Sequence, residues 1–146
     1  TIIVRTDALA AEGLEKSIDR ARTYINSGAD IIFAEALTDL DQYKTFTDSI
    51  NVPVLANLTE FGMTPLYSVE QLKGAGVKII LYPLSAARSM ANAAIKTYEA
   101  IKQEGTQNNQ IENMQTRIDL YKTLNYEVYE EKTDKILSKN KKQKDK

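Results

Sequence analysis

The chain has 146 residues, of which 42% are hydrophobic, and a formal net charge of −1. This length suits one ordinary domain, and the near-zero charge excludes a bulk electrostatic attraction to nucleic acid or to an anionic membrane. The sequence has neither cysteine nor histidine, which excludes disulfides, thiolate nucleophiles, the usual zinc ligands and histidine general bases from this chain. Because it also lacks an apolar run of about 18 residues and a signal-peptide pattern, we expect a cytoplasmic protein with no nucleic-acid or membrane partner.

Four short apolar runs begin near residues 2, 30, 53 and 77, and polar or charged residues follow each of them directly. The runs are rich in β-branched residues, as is typical of parallel strands that are buried on both faces. The runs, each given with the polar segment after it, are Ile2–Val4 with Arg5–Asp7, Ile31–Ala34 with Glu35, Val54–Ala56 with Asn57–Glu60, and Ile79–Tyr82 with Pro83–Arg88.

Helical patterning separates the four predicted strands. A first helix is predicted from about Gly13 to Ser27, because Gly28 stands where a left-handed residue ends a helix. A second helix ends before Pro53, and its predicted apolar face consists of Leu40, Tyr43, Phe46 and Ile50.

Two further helices are associated with the third and fourth strands. Ser68 and Gln71 have the spacing of a capping box, and the inner face of the short helix that follows is predicted to be Val69, Leu72 and Ala75. A longer helix is predicted with Ser85 as its N-cap and Gly105 at its end. Its predicted apolar stripe consists of Met90, Ala93, Ala94, Tyr98 and Ile101.

The strand starts recur about every 25 residues, and eight such units make a barrel of roughly 250 residues. Four units therefore predict an α/β fold that forms half of a (β/α)8 TIM-type barrel over residues 1–105. An open doubly wound sheet is the alternative, but no glycine-rich phosphate loop follows any strand, so its dinucleotide-binding version has no support. Because Thr1 leads directly into a strand, we expect the chain to be a fragment of a longer protein.

The pattern changes beyond Gly105. Residues 106–137 are predicted to form two C-terminal helices outside the repeat. Five of the nine residues from 138 to 146 are lysine, which predicts a solvated, frayed tail. A nucleic-acid-binding arm is the alternative, and it is disfavoured because no aromatic residue is interleaved with these lysines.

The polar residues after the four strands are expected to converge on one pocket, because the carboxyl ends of parallel strands all lie on one side of the sheet. They are Arg5, Glu35, Asn57, Thr59 and Arg88. Arg5 ends a strand that is predicted to be buried and needs a partner there, so a structural ion pair with Glu35 or Asp7 is the alternative to a ligand contact.

Arg88 falls in the first turn of the predicted long helix, where the helix dipole disfavours a cation. An anion bound there would be stabilised both by the Arg88 guanidinium and by the helix dipole. The alternatives are an ion pair with a nearby carboxylate and plain exposure to solvent. Asn57 and Thr59 point to one side of their strand with Leu58 opposite, which favours a polar pair at the pocket. In the alternative, Asn57 and Thr59 only cap the loop that follows.

Six short motifs, in this order and spacing, resemble the C-terminal half of the 2-methylisocitrate lyase family. They are Val4–Ala8, Phe33–Ala36, Ala56–Gly62, Leu81–Ser85, Gln103–Thr106 and Met114–Arg117. The resemblance extends from Thr1 to about Leu137 and implies the fold of the isocitrate lyase and phosphoenolpyruvate mutase superfamily, so that residues 1–105 are the last four units of a (β/α)8 barrel. Isocitrate lyases have Ser-Pro-Ser where this chain has Thr59–Gly62, which favours the methylisocitrate branch.

The resemblance implies a Mg2+-dependent cleavage of 2-methylisocitrate to pyruvate and succinate, as in propionate catabolism through the methylcitrate cycle. It also implies that this portion binds the tricarboxylate substrate, through residues that match the family's substrate contacts. They are Arg5, Glu35, Asn57, Leu58, Thr59, Arg88 and Arg117. Forked guanidinium groups suit bidentate carboxylate binding.

The family's catalytic thiol and the paired aspartates that hold its Mg2+ lie in the first half of the barrel, so this portion is expected to contain no catalytic residue and no metal ligand. The chain alone is then expected to be inactive, to bind the missing N-terminal half and to form a homo-oligomer through residues 106–137. An isocitrate lyase, a phosphonopyruvate-type enzyme and a non-catalytic truncated assembly module are the alternatives.

Overall fold

A computed structural model describes the backbone of residues 1–144 and the side-chain environments of residues 1–137. The chain divides into two compact units, Thr1–Met90 and Ala91–Lys146. The elements that begin in the first unit are, in order, β1 Ile3–Thr6, α1 Ala8–Glu12, α2 Leu14–Asn26, β2 Ile31–Ala34, α3 Leu40–Asp48, β3 Val54–Asn57, α4 Val69–Gly74, β4 Ile79–Leu81 and α5 Ser85–Glu104.

The four strands form one parallel sheet in the order β1-β2-β3-β4. Each strand therefore pairs with the strand of the next β/α unit along the chain, as strands do around a TIM-type barrel. A doubly wound sheet changes direction at a switch point, and this sheet does not. The predicted α/β fold with half of a barrel is confirmed, and β1 and β4 are the two edges of the sheet.

One face of the sheet packs against the helices. Alternate strand residues enter a single apolar core together with side chains from α2, α3 and α4. The fully buried members include Ala21, Ile32, Tyr43, Phe46, Ala56 and Leu72.

The other face of the sheet is open at its edges, so the prediction that the strands are buried on both faces is wrong for β1 and β4, whereas Leu55 of β3 is buried on this face. Ile3, in edge strand β1, is 50% exposed, and Leu81, in edge strand β4, is also exposed. The physical reason is that the helices of these β/α units cover one face only. In a closed barrel the face away from the helices is the interior.

The predicted helices are present, with differences at their ends. The capping box is confirmed, because Ser68 Oγ accepts from the Gln71 amide at 3.2 Å and Gln71 Oε1 accepts from the Ser68 amide at 2.9 Å. Val69 is 51% exposed rather than on the inner face, since this helix is little more than one turn and buries Leu72 alone. Helix α1 was not predicted, because it has five residues and no side-chain cap.

Helix α5 begins one residue earlier than the sequence predicts. The Arg88 amide donates to the Leu84 carbonyl at 2.8 Å, so Leu84 occupies the N-cap position. Ser85 is the first helical residue, and its hydroxyl donates to Glu60 instead of capping the helix. The apolar stripe predicted for α5 is exposed in this chain, Tyr98 being 73% exposed.

The second unit contains the rest of α5, a 3₁₀ helix Asn108–Asn113, α6 Arg117–Leu124 and α7 Tyr126–Lys144. The two predicted C-terminal helices are therefore present. The frayed tail predicted for 138–146 stays a prediction, since the backbone is described as helix as far as Lys144 and residues 145–146 lie outside the described residues. The division at residue 105 also stays a prediction. Over the described part of the chain, no helix combines the length and the apolarity that crossing a membrane requires.

Candidate active site

The carboxyl ends of the four strands lie side by side in the first unit. The Glu35 amide donates to the Thr6 carbonyl at 3.1 Å, and the Leu58 amide donates to the Leu81 carbonyl at 2.9 Å. The pairing of Phe33 with Leu55 places Glu35 next to Asn57 in the register of β2 and β3. The predicted convergence of the strand ends is therefore present in the backbone.

Arg5 lies on the open face of the sheet and binds two carboxylates. Its Nη2 and Nε donate to Asp7 at 2.6 and 2.9 Å, its Nη1 lies 3.4 Å from Glu35 Oε2, and its guanidinium covers the Phe33 ring at 5.1 Å. The hydrogen bond from Arg5 lowers the pKa of Asp7, and the same bond raises the pKa of Arg5, so the pair stays ionised. The Arg5 side chain is 49% exposed, so the expectation of a buried guanidinium is wrong, because no helix covers this face.

Two acceptors on the open face form no hydrogen bond, although one of them, Glu35 Oε2, has Arg5 Nη1 at an ion-pair distance of 3.4 Å. Glu35 Oε2 and Asn57 Oδ1 are buried and accept no hydrogen bond from the described residues. A buried acceptor without a donor costs about 1–3 kcal/mol, so such atoms are generally satisfied by a ligand, by water or by a partner. Glu35 and Asn57 are therefore placed to accept hydrogen bonds from a bound hydroxyl group or water.

Leu58 and Thr59 continue the chain beyond β3. The Leu58 side chain is buried in the core on the helix side of the sheet, and its amide is bonded to Leu81. A ligand contact of Leu58 is therefore restricted to its backbone carbonyl. The Thr59 carbonyl accepts the Gly62 amide at 3.2 Å, and this bond closes the turn Thr59–Gly62.

Arg88 meets the turn Thr59–Gly62. Its Nε lies 3.8 Å from Glu60 Oε2, and its guanidinium covers the Phe61 ring at 5.2 Å. The hydrogen bond from Ser85 is the main cause that lowers the pKa of Glu60. The sequence predicted no role for Glu60 or Phe61, and it predicted that the Ser85 side chain caps the helix rather than binding Glu60. The available signal was the position of Glu60 and Phe61 immediately after the polar Asn57–Thr59 run.

Arg117 lies in the second unit, at the start of α6. Its Nε donates to the Tyr121 hydroxyl at 2.9 Å, and its guanidinium covers the Tyr121 ring at 5.3 Å. Tyr121 in turn stacks on Tyr126, with ring centroids 4.4 Å apart. The hydrogen bond from Arg117 to Tyr121 raises the pKa of Arg117. Its role as a substrate contact stays a prediction.

A directly bound metal ion is usually held by several clustered acidic, histidine or cysteine side chains. Among the residues that the structure describes, no group of three or more His, Cys, Asp or Glu side chains could hold one. At the strand ends of the first unit, the two arginines Arg5 and Arg88 are outnumbered by the carboxylates of Asp7, Glu35 and Glu60. A multiply charged anion at this site would therefore need further positive charge from outside the cluster.

A half-barrel with charged side chains gathered at the carboxyl ends of its strands has the layout of an α/β-barrel active site. Residues 1–102 match the phosphoenolpyruvate phosphomutase family. The chain belongs to this family.

Relatives and solved structures agree with this assignment. The chain is 54% identical to 2-methylisocitrate lyase of Salmonella typhimurium over 141 residues, covering 97% of the chain and 48% of the relative, and 50% identical to that of Escherichia coli, covering 95% and 47%. The crystal structure of 2,3-dimethylmalate lyase, a member of the phosphoenolpyruvate mutase and isocitrate lyase superfamily, is 26% identical with a TM-score of 0.81, covering 93% of this chain and 47% of that one. The chain thus spans about half the length of the curated relatives it matches.

Proposed function

We propose that this chain is the C-terminal half of a 2-methylisocitrate lyase and supplies the part of the active site that binds the substrate carboxylates. The observation that carries the proposal is the gathering of Arg5, Glu35, Asn57 and Arg88 at the carboxyl ends of one parallel sheet. Identities of 54% and 50% to 2-methylisocitrate lyases support the choice of substrate.

The reaction breaks one carbon–carbon bond of 2-methylisocitrate. The hydroxyl loses its proton, the hydroxyl carbon becomes the carbonyl of pyruvate, and the electron pair of the broken bond stays on the carbon that becomes part of succinate, where a proton is added. Arg5, Arg88 and Arg117 bind and orient carboxylates, since a guanidinium offers two parallel donors to one carboxylate. Glu35 and Asn57 supply unsatisfied acceptors for a hydroxyl group or for an ordered water. Leu58, through its backbone carbonyl, and Thr59 are further proposed substrate contacts beside them.

Mg2+ and the acid that protonates the succinate carbon belong, in this proposal, to the other half of the barrel. Mg2+ there would stabilise the oxygen that becomes the pyruvate carbonyl. No group of three or more His, Cys, Asp or Glu side chains among the described residues could hold the ion. The excess of carboxylates over arginines at the strand ends is a reason why the complete site needs such a charge. The complete protein is proposed to be a cytoplasmic homo-oligomer, with residues 106–137 at the interface between subunits.

The test joins the part of the Salmonella typhimurium relative that precedes the matched region to this chain, giving what we call the joined protein. We expect the joined protein with Mg2+ to form pyruvate and succinate from 2-methylisocitrate, and the 146-residue chain alone to form none above background. A folded joined protein, as judged by circular dichroism and size, that is inactive on 2-methylisocitrate would contradict the proposal. Activity on isocitrate or phosphonopyruvate instead would reassign the substrate, and activity of the chain alone would contradict the division of the site.

A further inference from the structure

The turn Thr59–Gly62 carries two side chains that the proposed function leaves without a task, Glu60 and Phe61. The turn is tight, since a Cβ atom at Gly62 would lie 2.9 Å from Thr59 Cγ2. It brings Glu60 and Phe61 from the end of β3 onto the first turn of α5, where Ser85 and Arg88 lie.

Glu60 contacts both Ser85 and Arg88. Its Oε1 accepts the Ser85 hydroxyl, which fixes the carboxylate, and its Oε2 lies 3.8 Å from Arg88 Nε. Glu60 Oε2 is buried and accepts no hydrogen bond from the described residues. Arg88 lies at ion-pair distance from this buried oxygen, so the carboxylate has a positively charged partner.

Phe61 holds the other side of Arg88. Its φ of +65° lies in the left-handed region, which is unfavourable for a residue with a side chain. Its ring is 95% exposed, so burial of the ring does not offset this strain. The ring centroid instead lies 5.2 Å from the Arg88 guanidinium carbon, a cation–π contact that favours orientations of the guanidinium over the ring.

The donors of Arg88 remain available. Across the described residues, no hydrogen bond from its guanidinium to a protein acceptor is formed, and Glu60 and Phe61 are its charged and aromatic contacts. We propose that Glu60 and Phe61 form a clamp that holds the Arg88 guanidinium in one orientation, with its two Nη groups free to bind a substrate carboxylate bidentately. Glu60 is thus a positioning residue, and the proposal rests on the proposed function because it takes Arg88 as a substrate contact.

A double-mutant cycle in the joined protein tests the clamp through activity. Glu60→Gln removes the charge but keeps the shape, and we expect kcat/KM for 2-methylisocitrate to fall at least tenfold, mainly through KM. In an Arg88→Ala background the same change should cost less than about twofold, because Glu60 acts through Arg88. Glu70→Gln, an exposed glutamate in the first turn of α4, is the matched control. An unchanged kcat/KM in Glu60→Gln, or an equal loss in both backgrounds, would overturn the clamp.

A second measurement judges the clamp without catalysis. The Nε–H proton of Arg88 gives an NMR resonance that can be identified by its disappearance in Arg88→Lys. We expect the heteronuclear NOE of this resonance to report a restricted side chain in the joined protein and in Glu70→Gln, and a more mobile one in Glu60→Gln. If the joined protein does not cleave 2-methylisocitrate, the proposed function fails while this resonance still decides the clamp. A resonance that is unaffected by Glu60→Gln would refute it.

Discussion

Single residues at the strand ends combine charge with an incomplete set of partners. Glu35, Asn57 and Glu60 each have a buried oxygen without a hydrogen bond in the described part of the chain. The residues directly after the two glutamates, Ala36 and Phe61, have φ values of +60° and +65°. Unsatisfied hydrogen-bond acceptors and residues in the left-handed backbone conformation are common at binding sites, where the surrounding fold holds them in place.

Arg88→Lys tests the residue that is proposed to bind a carboxylate with two parallel hydrogen bonds. Lysine keeps the charge but cannot donate two parallel hydrogen bonds to one carboxylate. We therefore expect a loss of transition-state binding energy on the order of 2 kcal/mol, which is about a 30-fold decrease in kcat/KM of the joined protein. Arg22→Lys on α2 is the matched control, because Arg22 is similarly exposed and pairs with Asp19 at a distance from the strand ends in sequence and fold. A kcat/KM within twofold of the parent would show that Arg88 does not bind a substrate carboxylate bidentately.

Tyr43 predicts how stability depends on alkaline pH. Burial raises the pKa of its hydroxyl to about 12, from an ordinary value of 10.0. The neutral hydroxyl is therefore favoured in the folded state, and the stability linked to it is complete below pH 10 and is lost as the pH rises towards 12. We expect the midpoint of urea unfolding to fall over this range in the parent chain and to fall less in Tyr43→Phe. If the urea midpoint decreased equally with pH in the two proteins, the raised pKa of Tyr43 would be contradicted.

Elements of this fold follow from the sequence where the pattern is local. The capping box of α4, the buried pair Tyr43 and Phe46 on α3 and the four strands could all be predicted from residue spacing. The role of Ser85 could not, because whether its hydroxyl caps α5 or binds Glu60 depends on a turn that is distant in sequence. For the same reason the Glu60 and Phe61 contacts of Arg88 were not predictable.

The connection between α4 and β4 depends on a glycine. Gly76 has a φ of +86°, and a Cβ atom there would lie 2.5 Å from Thr47 Oγ1, the hydroxyl that donates to the Ala75 carbonyl at 2.7 Å. Gly28 has a φ of +103°, and nothing lies within 4 Å of a Cβ atom added there. A substitution at Gly28 therefore causes backbone strain but no steric clash. We expect Gly28→Ala to destabilise by about 1 kcal/mol and Gly76→Ala by clearly more. Urea denaturation of both variants measures the difference, and equal losses would show that the contact with Thr47 is relieved without cost.

The whole chain exposes surface that barrel members normally bury. The edges β1 and β4 have no second strand partner in the sheet, and Ile2 and Tyr82 next to them are exposed. Large apolar side chains on α5, among them Tyr98 and Ile101, are exposed as well. Unpaired edge strands beside apolar surface are sites where a strand of another chain can pair with the sheet.

We therefore expect the chain alone to self-associate, or to bind the N-terminal half of the Salmonella typhimurium relative when the two are mixed. Light scattering over a concentration series should show growth in mass, and ANS fluorescence should report apolar surface that decreases when the other half is added. A monomer at high micromolar concentration that binds no dye would contradict the half-barrel interpretation.

The sequential order of the sheet has a consequence for how the chain reaches its fold. Each of the three strand pairings closes a loop of about 25 residues, so the entropy of loop closure is similar at each step. The sheet can thus form by adding one β/α repeat at a time, as a repeat array does. In a closed barrel, the pairing of the first strand with the last would be the single long-range step. Dividing an eight-stranded ring into two halves interrupts two strand pairings, one sequential and one that closes the ring, and leaves the three pairings within this half intact.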